Sequence, residues 1–340
     1  MFDINSKVSK SQVDKAGQAL RNNINNNEAL DTLAIWRNKH VYPLDLAFKM
    51  LKRYTDKVGN HAIFGQRLKR VNSIVSKLER MPKANLSRMQ DIGGCRVILS
   101  DYDKLRKLYI CLKKSKSIEE NHKDYITYPK SDGYRGIHLI YKCNSKNLEF
   151  NGLKIELQIR TKLQHAWATA VEIIDSFENE QLKLGKGSKD WTRFFYLLAD
   201  EFAKLENLPV HDNNLTNITR SKEIIALWKS LDAYVKLGKY ATAIKIISDK
   251  KYKNSKANFF ILELNIKERI IKVIPYNNAD EANTKYIYLE KQHINSDFMN
   301  ILMVNKSSIK KIQQSYPNYF ADSDLFLEAL ARVIKNSLNT

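Results

Sequence analysis

The 340-residue sequence predicts a two-domain protein whose first part is an α/β or α+β domain. Three observations carry this. Up to about residue 210, short apolar or alternating runs take turns with stretches of helical spacing. The segment His211-Asp212-Asn213-Asn214-Leu215-Thr216-Asn217 is polar and aperiodic and reads as a linker, which places the boundary between 1–214 and 215–340. Beyond it the texture changes to a helix pair followed by runs rich in β-branched and aromatic residues.

Residues 1–30 are polar and Asn-rich and predict a helix broken by a loop. From Leu30 to Lys57 the apolar spacing fits helices split at Pro43. The stretch 67–80 predicts one amphipathic helix, with Leu68, Val71, Ile74, Val75 and Leu78 opposite Lys69, Arg70, Lys77 and Arg80. A short buried strand at 96–99 is approached through Gly93-Gly94, and a helix follows at 102–114. Strands at 136–141 and 153–160 precede helices at 164–177 and 191–205. After the linker come helices within 220–248 and strands at 259–266, 270–274 and 286–289. Helices at 307–314 and 324–338 close the chain, with Asp322 or Ser323 as cap of the last.

Charge is the compositional outlier. Lys and Arg number 57 against 37 Asp and Glu, a net +20. Such a surplus favours a polyanionic partner, a nucleotide or nucleic acid. Lysine-rich composition alone can produce the same number, so charge does not decide the matter. Cys95, Cys111 and Cys143 stand far apart and indicate neither a disulfide framework nor a zinc site. The N-terminus lacks a basic-then-apolar leader pattern, and no apolar run is long enough to span a bilayer. The expectation is a cytoplasmic protein without membrane attachment.

The chemistry concentrates in two segments. One runs from Asp124-Tyr125-Ile126 through Pro129-Lys130-Ser131-Asp132-Gly133-Tyr134-Arg135-Gly136-Ile137-His138. The other, Ile155-Glu156-Leu157-Gln158-Ile159-Arg160-Thr161, sets Glu156, Gln158 and Arg160 on one strand face by the two-residue period. A carboxylate, an amide and a guanidinium in a row suit a metal-bound polyanion and not a core. Asp91, just before Gly93-Gly94, supplies a second carboxylate at a strand mouth. Two such carboxylates can hold Mg²⁺ on a nucleoside triphosphate, with Arg67, Lys69, Lys77, Arg96 and Lys130 as phosphate cations. No GxxxxGK[ST] occurs, so this is not a P-loop enzyme.

Arg67-Leu68-Lys69 with Ser73 and Lys77, Asp91-Ile92-Gly93-Gly94-Cys95-Arg96, the Asp124–Arg135 segment and Glu156–Thr161 resemble the RelA/SpoT synthetase family, in order and spacing, over about residues 45–200. The resemblance implies an α+β domain, a mixed sheet flanked by helices. It also implies transfer of the β,γ-pyrophosphate of ATP to a 3′-hydroxyl, with Mg²⁺. The acceptor is GDP or GTP in alarmone synthetases and the 3′-terminal adenosine of tRNA in toxic small synthetases. By the same resemblance Arg67 and Arg96 sandwich the adenine, and Lys69, Ser73 and Lys77 hold the ATP phosphates. Asp91 and Glu156 hold Mg²⁺, Glu156 also being placed to deprotonate the acceptor. Tyr134 stacks on the acceptor base, and Lys130, His138, Gln158 and Arg160 line that side. Gly136 stands where many members have serine, and Gly93-Gly94-Cys95 replaces a commoner Ala-Gly-Ile/Leu.

The last third, at Ser315-Tyr316-Pro317-Asn318-Tyr319, resembles the C-terminal domain of fused toxin–antitoxin synthetases of the CapRel type. That resemblance implies a small α+β, pseudo-zinc-finger-like regulatory domain. Its Tyr316 and Tyr319 restrain the toxin from the ATP side, and a phage capsid protein releases it. Past residue 215 there is no cysteine and one histidine, His293, so no zinc is expected there.

Overall fold

The computed structural model describes residues 6–59, 61–178, 180–182, 185–210, 215–243, 245–248, 257–296, 298–305, 316–317 and 323–338. Helix α1 (Lys10–Asn22) starts at Ser9, which forms a reciprocal capping box with Gln12. Helix α2 (Asn27–Lys39) is capped by Asn26. Helix α3 (Val41–Asp56) follows after a break at His40. The break falls three residues before Pro43, not at it. In the first turn of α3 a missing backbone N–H costs nothing, because that N–H has no intrahelical partner.

A five-stranded mixed sheet forms the centre. Strand β1 (Ile63–Leu68) runs antiparallel to β2 (Gly93–Leu99), which runs parallel to β5 (Lys154–Thr161). Strand β4 (Ile137–Lys142) is antiparallel to β5 and to the two-residue β3 (Lys123–Asp124). The order is β1-β2-β5-β4-β3. Helices α4 (Val71–Arg80) and α5 (Tyr102–Lys113) are joined by α6 (Lys162–Phe177) and α7 (Lys189–Leu205). On one sheet face Cys95, Val97, Leu139, Leu157 and Ile159 pack against Leu44, Ala47 and Leu51 of α3 and Leu105, Leu108 and Leu112 of α5. By the strand period, Gly94, Arg96, His138, Glu156, Gln158 and Arg160 occupy the other.

The single helix expected over 67–80 is corrected. Arg67 and Leu68 belong to β1 and pair with Gly94 and Gly93, Arg70 is extended, and the helix begins at Val71. Leu68 lies three residues before Val71, so a strand residue continued the helical stripe by coincidence.

After residue 215 come α8 (Asn217–Ser230) and α9 (Ala233–Ala243). A second sheet follows, order β6-β8-β7-β9, from β6 (Lys245–Ser248), β7 (Phe259–Asn265), β8 (Ile270–Tyr276) and β9 (Met299–Asn305). Helix α10 (Ala279–Gln292) lies between β8 and β9, and α11 (Asp324–Leu338) ends the chain. The strand expected at 286–289 is corrected to the middle of α10. Asn278 caps that helix, and its buried residues Ala282, Tyr286 and Leu289 are spaced by four and three. The helix expected at 307–314, Tyr319 and Asp322 lie outside the described residues.

Residues beyond 215 feed two different cores. Ile224 of α8, Leu237 of α9 and Phe326, Leu330 and Val333 of α11 pack with Trp191, Phe194, Phe195 and Phe202 of α7. The second sheet buries Phe260, Leu262, Leu264, Ile271, Val273, Leu302 and Val304 in a core that also takes Tyr316. Ser323 stands just before α11, its carbonyl accepting from Leu327 at 2.9 Å, and its hydroxyl donates to the Leu237 carbonyl at 3.3 Å, which ties the chain's return to its departure. The second sheet with α10 is therefore an excursion between α9 and α11. It is held to the N-terminal helices by Arg37, which is buried and bonded to Glu290 and to the Tyr286 hydroxyl.

Candidate active site

The polar face of the first sheet opens into a cleft of about 430 Å³. Lys69 and Asp91 stand at one end, Lys130 and Tyr134 at the other, and Glu156 and Gln158 form the floor between them. The register explains the floor: Gly94 faces Glu156 and Arg96 faces Gln158 in the parallel pair, while His138 faces Gln158 in the antiparallel one. Gly94 leaves the strand surface open beside Glu156, since a Cβ there would meet nothing nearer than the Glu156 carbonyl at 3.8 Å.

Asp91 is clamped by two lysines, Lys77 at 2.8 Å and Lys69 at 3.0 Å. Burial works to raise its pKa, but the two ammonium groups outweigh it and hold the carboxyl below its usual value. Burial again works upward at Glu156. Its bonds to His138 at 2.9 Å and to the Gln158 amide at 2.7 Å, with Lys69 nearby, pull it well below the ordinary carboxylate range. Both Glu156 oxygens are thus engaged, and the group enters the cleft as a fixed negative charge. Service as a base requires one of those bonds to open.

A directed chain of hydrogen bonds runs across the end of the cleft that holds Tyr134. Arg160 Nε donates to the Tyr134 hydroxyl at 3.1 Å, and that hydroxyl meets His138 Nε2 at 2.6 Å. Arg160 has only donors, so the tyrosine proton is left for Nε2. In the neutral imidazole this places the proton on Nδ1, which donates it to Glu156. Gln158 Oε1 accepts from Arg96 at 3.3 Å and Arg160 at 3.4 Å, linking the two arginines. Crowding of cations shows at Arg96, whose pKa is pulled down to about 10 by burial and by Arg160 and Arg67. An anion relieves such crowding.

Arg67, Lys69, Lys77, Asp91, Arg96, Lys130, Tyr134, His138, Glu156, Gln158 and Arg160, all named from sequence, line this one cleft. Ser73 does not. It lines a separate cavity of about 190 Å³ between the start of α4 and the second unit, with Arg70, His293 and Asn300. Tyr134 is buried, and its ring lies under Lys130 at 4.9 Å and Arg160 at 5.0 Å. Tyr125 is the aromatic that sequence reasoning left out. It stands edge-on to Tyr134 at 5.8 Å and to His138 at 5.3 Å, half-buried, with Lys130 over its ring. Its place beside Asp124 in the same motif was the available signal. Arg80 and Glu172 also reach the cleft wall.

Tyr316 closes a smaller adjoining cavity of about 80 Å³ that shares Arg67, Arg96 and Asp91 with the cleft. Its hydroxyl donates to the Gln66 carbonyl on β1. Burial raises its pKa to about 12 against the pull of Arg67 and Arg96. Among the described residues no group of three or more His, Cys, Asp or Glu side chains is arranged to hold a metal. The protein can offer Asp91 and Glu156. That donor set fits Mg²⁺, a hard cation that binds through one or two carboxylates and takes its other oxygens from water and phosphates. No described helix is long and apolar enough to cross a membrane.

Residues 66–175 match the family model described as the region found in RelA / SpoT proteins. GTP pyrophosphokinase YwaC of Bacillus subtilis (strain 168) is 34% identical over 112 residues, covering 30% of this chain and 52% of that protein. GTP pyrophosphokinase YjbM of the same organism is 34% identical over 109 residues, with 30% and 51% covered. The chain thus spans about half the length of these curated relatives. Among solved structures, small alarmone synthetase 2 from Bacillus subtilis is 29% identical with a TM-score of 0.43, covering 51% of this chain and 94% of that one. Small alarmone synthetase 1 from Bacillus subtilis, bound to its product pppGpp, is 22% identical with a TM-score of 0.42, covering 50% and 89%. Residues 66–175 carry a RelA/SpoT synthetase region.

Proposed function

We propose, starting from that RelA/SpoT region, that this protein is an ATP-dependent pyrophosphokinase. Its acceptor is the 3′-hydroxyl of the tRNA 3′-terminal adenosine, which it blocks against aminoacylation. The acceptor oxygen attacks the β-phosphorus of ATP, the bond from that phosphorus to the AMP oxygen breaks, and AMP leaves. The observation that carries the reading is the convergence of eleven motif residues on one cleft within and beside the matched region. Lys69 and Lys77 serve the phosphates, and the crowded Arg67, Arg96 and Arg160 favour an anion among them. Mg²⁺, held by Asp91 and Glu156, supplies charge neutralisation on the phosphates. Tyr125 and Tyr134 offer aromatic surface to an acceptor base.

The net charge of +20 supports a tRNA acceptor, whose stem needs phosphate contacts outside the cleft. A second reading, a GDP or GTP acceptor and hence an alarmone product, is favoured by the relatives YwaC and YjbM, which are GTP pyrophosphokinases. Incubation with γ-³²P-ATP and either tRNA or GDP/GTP tests both. Label on RNA supports the first and label on guanosine nucleotide the second; no label in either, from the full chain and from its Tyr316→Ala variant alike, defeats the pyrophosphokinase reading.

The position of Tyr316 beside Arg67 and Arg96 supports the view that the C-terminal unit (215–340) restrains the enzyme from the ATP side. Such a tethered contact works at high effective concentration and can be weak. On this proposal a phage structural protein of the capsid class binds that unit and frees the cleft, making the chain an autoinhibited toxin–antitoxin fusion for antiviral defence in the cytoplasm. Tyr319 shares that role by its motif.

A further inference from the structure

We infer that Arg220, on α8 and so beyond the boundary read from the sequence, is a positioning residue for the loop that carries Lys130 and Tyr134. The loop is pressed onto α7. Gly133 has φ +89°, and a Cβ at that position would lie 2.8 Å from the Ala199 Cβ. Arg135 ties the loop's two ends together, donating to the Ile126 carbonyl at 3.1 Å and to Asp200 Oδ1 at 3.2 Å. The other oxygen of the same carboxylate faces Arg220 at 3.7 Å, and Arg220 also reaches Glu201 at 3.6 Å. Arg135, Asp200 and Arg220 are 5%, 1% and 2% exposed, so this is a buried chain with little solvent screening. Arg135 and Arg220 flank the buried Asp200, while Glu201 at the more open edge is shared by Arg220 and Lys204, so removing Arg220 takes one of two guanidiniums from a carboxylate that water does not reach.

Helix α8 is fixed on α7 independently. Arg193 and Glu223 form a two-pronged ion pair at 2.7 and 2.8 Å, and Ile224 is fully buried in the shared core. Arg220 is therefore delivered to Asp200 by a helix that cannot drift, and Asp200 passes that position to Arg135 and the loop. None of the three side chains lines the acceptor end of the cleft. Their effect on it is through the orientation of Lys130 and Tyr134. The inference rests on the pyrophosphokinase reading only for what the loop receives.

The test uses the full chain carrying Arg220→Met, with Arg220→Lys as the conservative partner. Two quantities are read: the Michaelis constants for ATP and for the acceptor that the labelling assay identifies, and hydrogen exchange at 124–136 against β2. With Arg220→Met the acceptor constant rises about tenfold. The ATP constant stays within about twofold, and exchange quickens in the loop but not in β2. Arg220→Lys recovers part of each effect. Equal changes for both substrates, or wild-type loop exchange in a folded Arg220→Met protein, overturn the inference. Should that variant fail to fold, the wild-type protein still decides. In a denaturant series the loop and α8 must exchange through the same opening, and separate openings refute the link. Absence of label from both the wild-type protein and its Tyr316→Ala variant sinks the enzymatic reading while leaving both exchange measurements able to judge Arg220.

Discussion

The two sheets of this molecule spend their faces differently. The first packs one face against α3 and α5 and gives the other to arginine, glutamate, glutamine and histidine. The second is apolar on both: Phe260, Leu262 and Leu264 fill its own core, and Ile261 and Ile301 meet Tyr286 and Leu289 of α10. Placing charges along the middle of a sheet costs stability unless each is paired, and in the first sheet His138, Glu156, Gln158 and Arg96 bond to one another within the cleft. Such a network is retained for what it does to a ligand. The second sheet is built as a body to be carried, and Tyr316, which packs with its core, lines the small cavity that adjoins the cleft.

The largest expected effect breaks the first sheet's chemistry. Glu156→Gln and Asp91→Asn each lower pyrophosphate transfer by on the order of 10²–10³ or more, because charge on the phosphates goes unneutralised. Lys272→Gln in the second sheet changes it by less than about twofold, as expected of a surface change away from the cleft. Turnover with labelled ATP checks all three, and near-wild-type turnover in folded Glu156→Gln would overturn the assignment of the cleft.

A second experiment separates the two halves of the C-terminal unit. Excising 245–317 and joining α9 to α11 through a short linker should release transfer, since Ser323 already touches Leu237. Deleting 215–340 should not, because it strips Ile224, Phe326 and Leu330 from the core around α7 and removes Arg220. Side-by-side assays give one active and one inactive protein if the comparison holds. An active 1–214 fragment would show the helices to be dispensable.

Smaller effects follow at single aromatics. Tyr316→Ala in the full chain should tighten ATP binding about tenfold, the scale of a typical coupling between two sites, as measured by calorimetry. Tyr134→Ala should cost the acceptor about 1–3 kcal/mol and ATP much less. Tyr125→Ala, with its ring more open than that of Tyr134, should weaken the acceptor by a similar amount. If Tyr125→Ala is silent, the acceptor side was fully legible from the sequence.

Legibility followed the same division. The charged strand face was readable because Glu156, Gln158 and Arg160 break an apolar alternation where no core could accept them. Helix α6 was readable from its apolar stripe, and Thr161 and Gln164 form the box that opens it. Strand β1 was not: its Arg67 and Leu68 are in phase with α4, and only pairing with Gly93 and Gly94 reveals the change. In α10 the run Tyr286-Ile287-Tyr288-Leu289 has β-type residues, and tertiary burial of Tyr286 and Leu289 overrides that preference. The division of the C-terminal unit between two cores was out of reach of any local pattern, since it depends on α11 returning to α7.

The smallest expected effect concerns stability against pH, and it too belongs to one region. His40, at the break between α2 and α3, is 1% exposed, and its Nδ1 contacts the Trp36 carbonyl at 2.9 Å. Burial, reinforced by Lys39, pulls its pKa down from 6.5 to about 4, against the favourable bond to Trp36. The folded ring is therefore neutral, and Nδ1 is the donor. Between pH 6.5 and about 4 the unfolded chain takes up a proton that the folded chain refuses, so stability falls as pH falls through that window. At roughly 1.4 kcal/mol per unit the loss is on the order of 3 kcal/mol by the lower end. Above pH 6.5 the term is flat. In the second sheet the one described group with a displaced pKa is Tyr276, raised by burial and by Glu263 and Glu281, and it does not titrate there. Urea unfolding of wild type and His40→Gln at pH 7.5, 6, 5 and 4 should give curves that diverge at neutral pH and converge in acid. Parallel curves would mean that the folded chain takes up the His40 proton as readily as the unfolded one, the hydrogen bond to Trp36 offsetting burial.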